Sequence, residues 1–132
     1  MLIVLRGFPG YQCPICTAQV GHLISDALQF AAAKARVILV YPSPADSLKK
    51  RAGEFVSGKA LPKNFTLLLD PDFTFTKQYG LRWDAPNETA YPSTFVLDSA
   101  RKVTFAEVSH SHGDRANNTD ILKAIPAPQA KP

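Results

Sequence analysis

A Cys-x-x-Cys pair, Cys13-Pro14-Ile15-Cys16, stands between a continuous apolar run, Leu2-Ile3-Val4-Leu5, and a long stretch of helical periodicity. A strand that ends in a short Gly/Pro loop and runs into a helix puts Cys13 at the helix N-terminus. There, free backbone N–H groups and the positive end of the dipole favour a thiolate over a thiol. Pro14 takes the first helical position, where its missing N–H costs nothing. Cys16 lies one turn further in on the same face, so its sulfur can reach Cys13 and close a small reversible disulfide. The frame therefore calls for a sheet behind the cysteines, a helix ahead of them, and redox chemistry of thiols.

The rest of the composition narrows the function classes. A chain of 132 residues supports one core rather than two. Its 45% hydrophobic and 20% charged residues are those of a folded domain, and no apolar stretch approaches the roughly 18 residues of a membrane span. Arg6 interrupts the first apolar run, so there is no secretory h-region, and a cytoplasmic protein is expected. The net charge of +4 is scattered, with Lys49-Lys50-Arg51 the one dense group, so neither nucleic acid nor membrane is an expected partner. A structural zinc would need four ligands, and only His22, His110 and His112 could join the two cysteines; no metal site is expected.

Apolar periodicity predicts the elements. Leu2–Phe8 reads as a buried strand broken by Pro9-Gly10, and Val20, Leu23, Ile24, Ala27, Leu28 and Ala31 mark one continuous helix face running on from Cys16. Arg36–Tyr41 is a second strand, ended by Pro42-Ser43-Pro44. A helix follows with Asp46 as N-cap and Leu48, Ala52, Phe55 and Val56 inward. Phe65–Leu69 is a third strand and Phe73–Leu81 a brief helix, after which 82–90 is a loop. Thr94–Asp98 and Lys102–Val108 form an antiparallel hairpin, and a final helix covers Asn118–Ile125. The domain is 1–125, with a proline-rich flexible tail at 126–132. The series β-α-β-α followed by a hairpin predicts an α/β fold with a central mixed parallel/antiparallel sheet flanked by helices.

The strand before Cys13, the CxxC at a helix start, and Pro92 directly before the penultimate strand in Tyr91-Pro92-Ser93-Thr94-Phe95-Val96-Leu97-Asp98 together resemble the thioredoxin fold. Within it the chain is similar to the peroxiredoxin-like (AhpC/TSA) redoxins. The likeness is carried by Leu5-Arg6-Gly7 with Cys13-Pro14-Ile15-Cys16, by Asp70-Pro71-Asp72 with Tyr79-Gly80-Leu81, by Tyr91–Asp98, and by His112-Gly113-Asp114-Arg115 leading to Ile121-Leu122. The resemblance implies a cis Pro92 packed beside the cysteines, with Pro92, Tyr91 and Pro14 bordering the substrate. It implies no cofactor other than a redox-active Cys13–Cys16 disulfide.

The chain also departs from that family. Gly10 stands where a threonine usually precedes the attacking cysteine, Arg6 where a proline stands, and Pro92 at the register of the family's late-strand arginine. Two strands that usually precede the CxxC strand are missing, so the chain is either a minimal version or a piece of a longer one.

Cys13 is the expected nucleophile and Cys16 the expected resolving residue. A disulfide substrate gives a mixed disulfide and a hydroperoxide gives a sulfenic acid; a thiol reductant such as a thioredoxin-type protein or glutathione resets the pair. With Gly10 and Pro92 in place of the usual peroxide-orienting groups, disulfide exchange is expected to be the faster activity. Arg6 could help by charge; Tyr11, Gln12 and His22 are expected to be structural or solvent-facing. The alternative is metal delivery. Gly10-Tyr11-Gln12-Cys13-Pro14 is similar to the loop of copper-chaperone relatives of the fold, although their cysteines are spaced CxxxC, and His110-Ser111-His112 would supply the imidazole.

Overall fold

The computed structural model describes residues 1–8, 10–113 and 115–125. Its elements are β1 (Leu2–Val4), α1 (Pro14–Ser25), α2 (Ala27–Ala32), β2 (Val37–Ser43), α3 (Ala45–Val56), β3 (Phe65–Pro71), α4 (Thr74–Gln78), β4 (Ser93–Leu97), β5 (Val103–Val108) and α5 (Asn118–Ala124). The strands form one sheet in the order β3-β2-β1-β4-β5. The first three run parallel, while β4 is antiparallel to β1 and β5 to β4. This is the thioredoxin-like α/β sheet that the apolar pattern and the resemblance imply. The tail at 126–132 and the strand break at Pro9 lie outside the described residues.

Alternation along the strands sends side chains to two unequal cores. On one face Ile3, Leu5, Leu39, Tyr41 and Val96 meet Val20, Leu23 and Phe30 of α1 and α2, Leu48 and Phe55 of α3, and Ile121 of α5; both cysteines belong to this core. On the other face Val4, Val40, Leu81 and Ala90 pack with Leu2, Phe75, Phe95 and Val108. Among the described residues no helix is long and apolar enough to cross a membrane.

Several boundaries differ from the expected ones, each for a local reason. β1 ends at Val4: Leu5 N–H still donates to Val40 O (2.9 Å), but the Arg6 N–H turns to the Cys16 sulfur. The expected single helix breaks at Asp26, whose carboxylate accepts hydrogen bonds from Asn118 Nδ2 (2.7 Å) and Gln29 Nε2 (3.1 Å). At Asp26 the backbone itself leaves the helical region (φ −102°, ψ 16°), and its N–H is shared between His22 O and Leu23 O. Asp46 is not the N-cap of α3. The helix starts at Ala45, whose N–H donates to Asp72 Oδ1 from the loop after β3 (2.8 Å), leaving Asp46 in the first turn. β2 runs through Pro42, paired with Asp70. The short fourth helix starts one residue late because Phe73 is in the left-handed region, and the Asp70 carboxylate takes the N–H groups of Phe75 (2.7 Å) and Thr76 (3.0 Å).

The expected cis bond before Pro92 is not present; every peptide bond of the described chain is trans. Ser93 pairs with Val4, and Pro92 O accepts the Ser109 N–H (2.9 Å), so β4 enters the sheet through the ordinary isomer, which X-Pro bonds prefer by about 0.5–1 kcal/mol.

Gly7, just after Arg6, controls how the chain leaves the sheet. Its φ is +74°, and a Cβ there would fall onto the Pro42 carbonyl oxygen, a backbone atom fixed in β2. Gly7→Ala is expected to cost roughly 2–3 kcal/mol in chemical denaturation through strain and overlap together; a change below about 0.5 kcal/mol, the usual size of a neutral surface substitution, would show that the loop adapts freely.

Candidate active site

Cys13 is the N-cap of α1, in extended conformation, and its sulfur accepts the Cys16 N–H (3.4 Å), the place a serine or threonine oxygen usually fills. Thr17 N–H and Oγ1 both donate to Cys13 O (3.1 and 3.2 Å), and Pro14 sits exposed in the first helical turn. The helix start is therefore fixed by the residues of the CxxC itself. Both cysteines are free thiols and each is only 1% exposed.

The two sulfurs are electrostatically unlike. The Cys13 thiol is held down to about 4, chiefly by the hydrogen bond from the Cys16 side chain, helped by the Cys16 N–H and the positive charge of Arg115 against the opposing effect of burial. Cys16 is pushed well above its ordinary value, because it donates to Cys13 and because it is buried. Both effects point the same way: of the two, Cys13 is the more acidic and Cys16 the one that keeps its proton longer.

Arg115, from the segment before α5, spans the pair. Its Nη1 donates to Cys16 Sγ (3.0 Å) and Gln19 Oε1 (2.9 Å), its Nη2 to Cys13 Sγ (3.8 Å), and its Nε to His112 O (3.0 Å). A second arginine lies behind the loop. Arg6, 2% exposed, grips Glu88 through two parallel bonds, Nε to Oε2 (3.1 Å) and Nη2 to Oε1 (3.2 Å), and also donates to Tyr11 Oη (2.8 Å) and Asn87 O (3.2 Å). Its own N–H points at Cys16 Sγ (3.3 Å), and its carbonyl accepts the Thr89 hydroxyl. Glu88 Oε1 also meets His112 Nε2 (2.7 Å). Burial works against the Glu88 charge, yet the bonds from Arg6 and His112 keep its carboxyl below the usual range. Through Glu88 and His112 the two arginines are parts of one network.

The remaining sequence candidates have other tasks. Gln12 accepts from Tyr41 Oη (2.8 Å) and donates to Arg51 O (2.8 Å), pinning the loop to β2 and α3. Tyr91 stacks on Trp83 (5.0 Å) and meets the His110 ring (4.6 Å). With His110 on Tyr91 and His112 on Glu88 and Trp83, neither imidazole serves the sulfurs, and among the described residues no group of three His, Cys, Asp or Glu side chains could hold a metal ion. His22 lines a groove of about 420 Å³ along α1, with Ile15, Gln19, Asp26, Asn118 and Arg115. The sequence reading assigned Arg115 no role and missed Glu88. The closing motif His112-Gly113-Asp114-Arg115 was the available signal for the first, and nothing local marked the second.

The sequence profile of the AhpC/TSA family matches residues 1–106. The chain belongs to the AhpC/TSA family. Membership puts it among thiol-dependent redox enzymes, thiol peroxidases or thiol–disulfide oxidoreductases. No curated protein matches it in sequence. Among solved structures it is similar to the peroxidoxin BcpB of Mycobacterium tuberculosis (20% identity, TM-score 0.72, 98% of this chain and 80% of that one). It is also similar to AhpC of Mycobacterium bovis (16%, 0.69, 94% and 65%) and to the yeast mitochondrial 1-Cys peroxiredoxin (18%, 0.67, 94% and 61%). At these identities the likeness concerns the fold, and the chain spans less than two thirds of the last two.

Proposed function

We propose that this AhpC/TSA protein is a thiol peroxidase, with Cys13 as the attacking thiolate and Cys16 as the resolving thiol. The observation that carries the reading is Arg115 laid across both sulfurs: a cation whose Nη2 lies 3.8 Å from Cys13 Sγ, near enough to offer an N–H to a peroxide oxygen that approaches that sulfur. Arg115 thereby takes up the task for which Gly10 and Pro92 offer no group. Burial also favours a hydroperoxide over a protein disulfide, since cysteines that are 1% exposed admit a small molecule more readily than a protein loop.

In the reaction, Cys13 Sγ attacks the nearer peroxide oxygen, the O–O bond breaks, and the departing alkoxide takes the proton that Cys16 holds. Cys16 Sγ then attacks the Cys13 sulfenic acid, the S–S bond forms, and hydroxide leaves to become water with a solvent proton. The net change is one hydroperoxide and two thiol equivalents to one disulfide, one alcohol and one water. Two electrons from an external thiol, of the glutathione or thioredoxin type, restore the pair. A reducing compartment such as the cytoplasm supplies that thiol, and the role there is antioxidant. In this reading Pro14, Tyr91 and Pro92 border the approach of substrate and reductant, and the groove that Arg115 helps to line offers room for the alkyl part of a larger hydroperoxide.

The test is turnover of hydrogen peroxide, of an alkyl hydroperoxide and of a protein disulfide side by side, with excess thiol. Peroxide consumption is expected to be the fastest. Because the Cys13 thiol is held down to about 4, the thiolate is complete throughout the neutral range, and single-turnover oxidation of Cys13 should fall only as the pH drops toward that value. Faster disulfide exchange, or a rate that climbs with pH through the ordinary cysteine range near 8.5, would overturn the reading.

A further inference from the structure

Oxidising a dithiol to a disulfide removes the charge from its sulfurs and leaves weak acceptors. A group that binds the reduced sulfurs but not the disulfide therefore pulls the equilibrium toward the dithiol by its differential affinity. Arg115 meets this description. One planar cation reaches both sulfurs, Cys16 Sγ at 3.0 Å and Cys13 Sγ at 3.8 Å. It is anchored independently of them, by His112 O at 3.0 Å and Gln19 Oε1 at 2.9 Å, so it stays in place when the disulfide closes and its two sulfur bonds are lost. The Arg6 N–H adds a third donor, to Cys16 Sγ. The nearby carboxylate of Glu88 is turned away, onto Arg6 and His112.

The geometry points to Arg115 as the residue that poises the Cys13–Cys16 pair toward the dithiol, so that its disulfide is readily reduced by a monothiol of the glutathione class without a dithiol reductant protein. A monothiol thiolate attacks Cys13 Sγ, and Cys16 leaves as a thiolate received by Arg115. A second monothiol attacks the monothiol sulfur of the resulting mixed disulfide, Cys13 leaves as a thiolate received by the same guanidinium, and the two monothiols depart joined, having supplied two electrons. The inference rests on the peroxidase reading only in that Cys13 and Cys16 must close a disulfide.

The test is equilibration of the full chain with graded ratios of reduced to oxidised glutathione, followed by alkylation and mass measurement of the disulfide fraction. Arg115→Gln should shift the equilibrium constant about tenfold toward the disulfide, close to 30 mV for this two-electron couple. Arg115→Lys, which keeps the charge but not the span, should fall between Arg115→Gln and the wild type. An unchanged constant in Arg115→Gln, or a shift toward the dithiol, overturns the inference and leaves the peroxidase reading standing. An Arg115-dependent shift in a protein that turns over no peroxide supports it while the peroxidase reading falls. Two free thiols that persist after excess hydrogen peroxide, with no disulfide closed, overturn both.

Discussion

Replacing Cys13 by serine should bring peroxide consumption down to the background, a loss of at least about three orders of magnitude, because the step depends on one sulfur held as a thiolate. A serine hydroxyl is un-ionised at neutral pH and cannot be oxidised to a sulfenic acid. Every group that prepares the site, from the Cys16 N–H to Arg115, would then surround an unreactive oxygen. Cys16→Ser should behave differently. Its first turnover is expected to survive at a reduced rate, since a serine hydroxyl at position 16 can still donate to Cys13 and to the leaving oxygen, and Cys13 keeps the helix N-terminus, the backbone N–H at position 16 and the guanidinium. The reaction should then stop at the Cys13 sulfenic acid, which a sulfenic-acid-selective label would trap and mass spectrometry would place on that residue. The amplitude of one equivalent followed by arrest distinguishes a resolving residue from a structural one. Steady peroxide consumption in Cys13→Ser, or a Cys16→Ser protein that fails to form the sulfenic acid, would reverse these assignments.

Much of this site was legible in the chain because its central features are local. The apolar run, the Gly/Pro loop, Pro14 in the first turn and the spacing of two cysteines fix Cys13 at a helix start through contacts between neighbours, and the structure has them so. What failed was also physical in kind. Asp26, at the helix break, is held by Asn118, the first N–H of α3 is held by Asp72, and the first strand is cut short by an N–H that prefers a sulfur to the sheet. Each is a side chain or backbone group finding a partner far away in sequence. The same is true of the charges around the thiols. Arg115 reaches Cys16 across 99 positions and Glu88 reaches Arg6 across 82, and a net charge of +4 spread over the chain gives no hint that two of its arginines converge. The resemblance quoted the motif that holds Arg115 but could not say which sulfur it would touch.

Arg6→Met is expected to destabilise the fold by roughly 3–5 kcal/mol, since it removes one partner of a buried pair and leaves the other charged. Arg6 is 2% exposed and Glu88 12%, so solvent does little to replace the lost bonds. The guanidinium also holds Tyr11, in the loop before Cys13, and Asn87, in the loop before β4, so the loss should loosen both. Its stem, by contrast, is well served by methionine, which keeps the packing and isolates the charge as the cause. Glu88→Gln added to Arg6→Met should recover part of the stability, because the amide that remains needs no counter-ion. The pH dependence has a definite sign. The Glu88 carboxyl is held below its ordinary value of 4.5, so its contribution is complete above that value and is lost as the pH falls through the lowered folded value. In the same window the gap between wild type and Arg6→Met should close, because a protonated Glu88 no longer needs its arginine. Denaturant titrations of the three proteins at neutral and acid pH read both effects. A neutral-pH difference under about 0.5 kcal/mol, within the range of ordinary surface substitutions, would mean that the Arg6–Glu88 pair holds neither the loops nor the thiol site together.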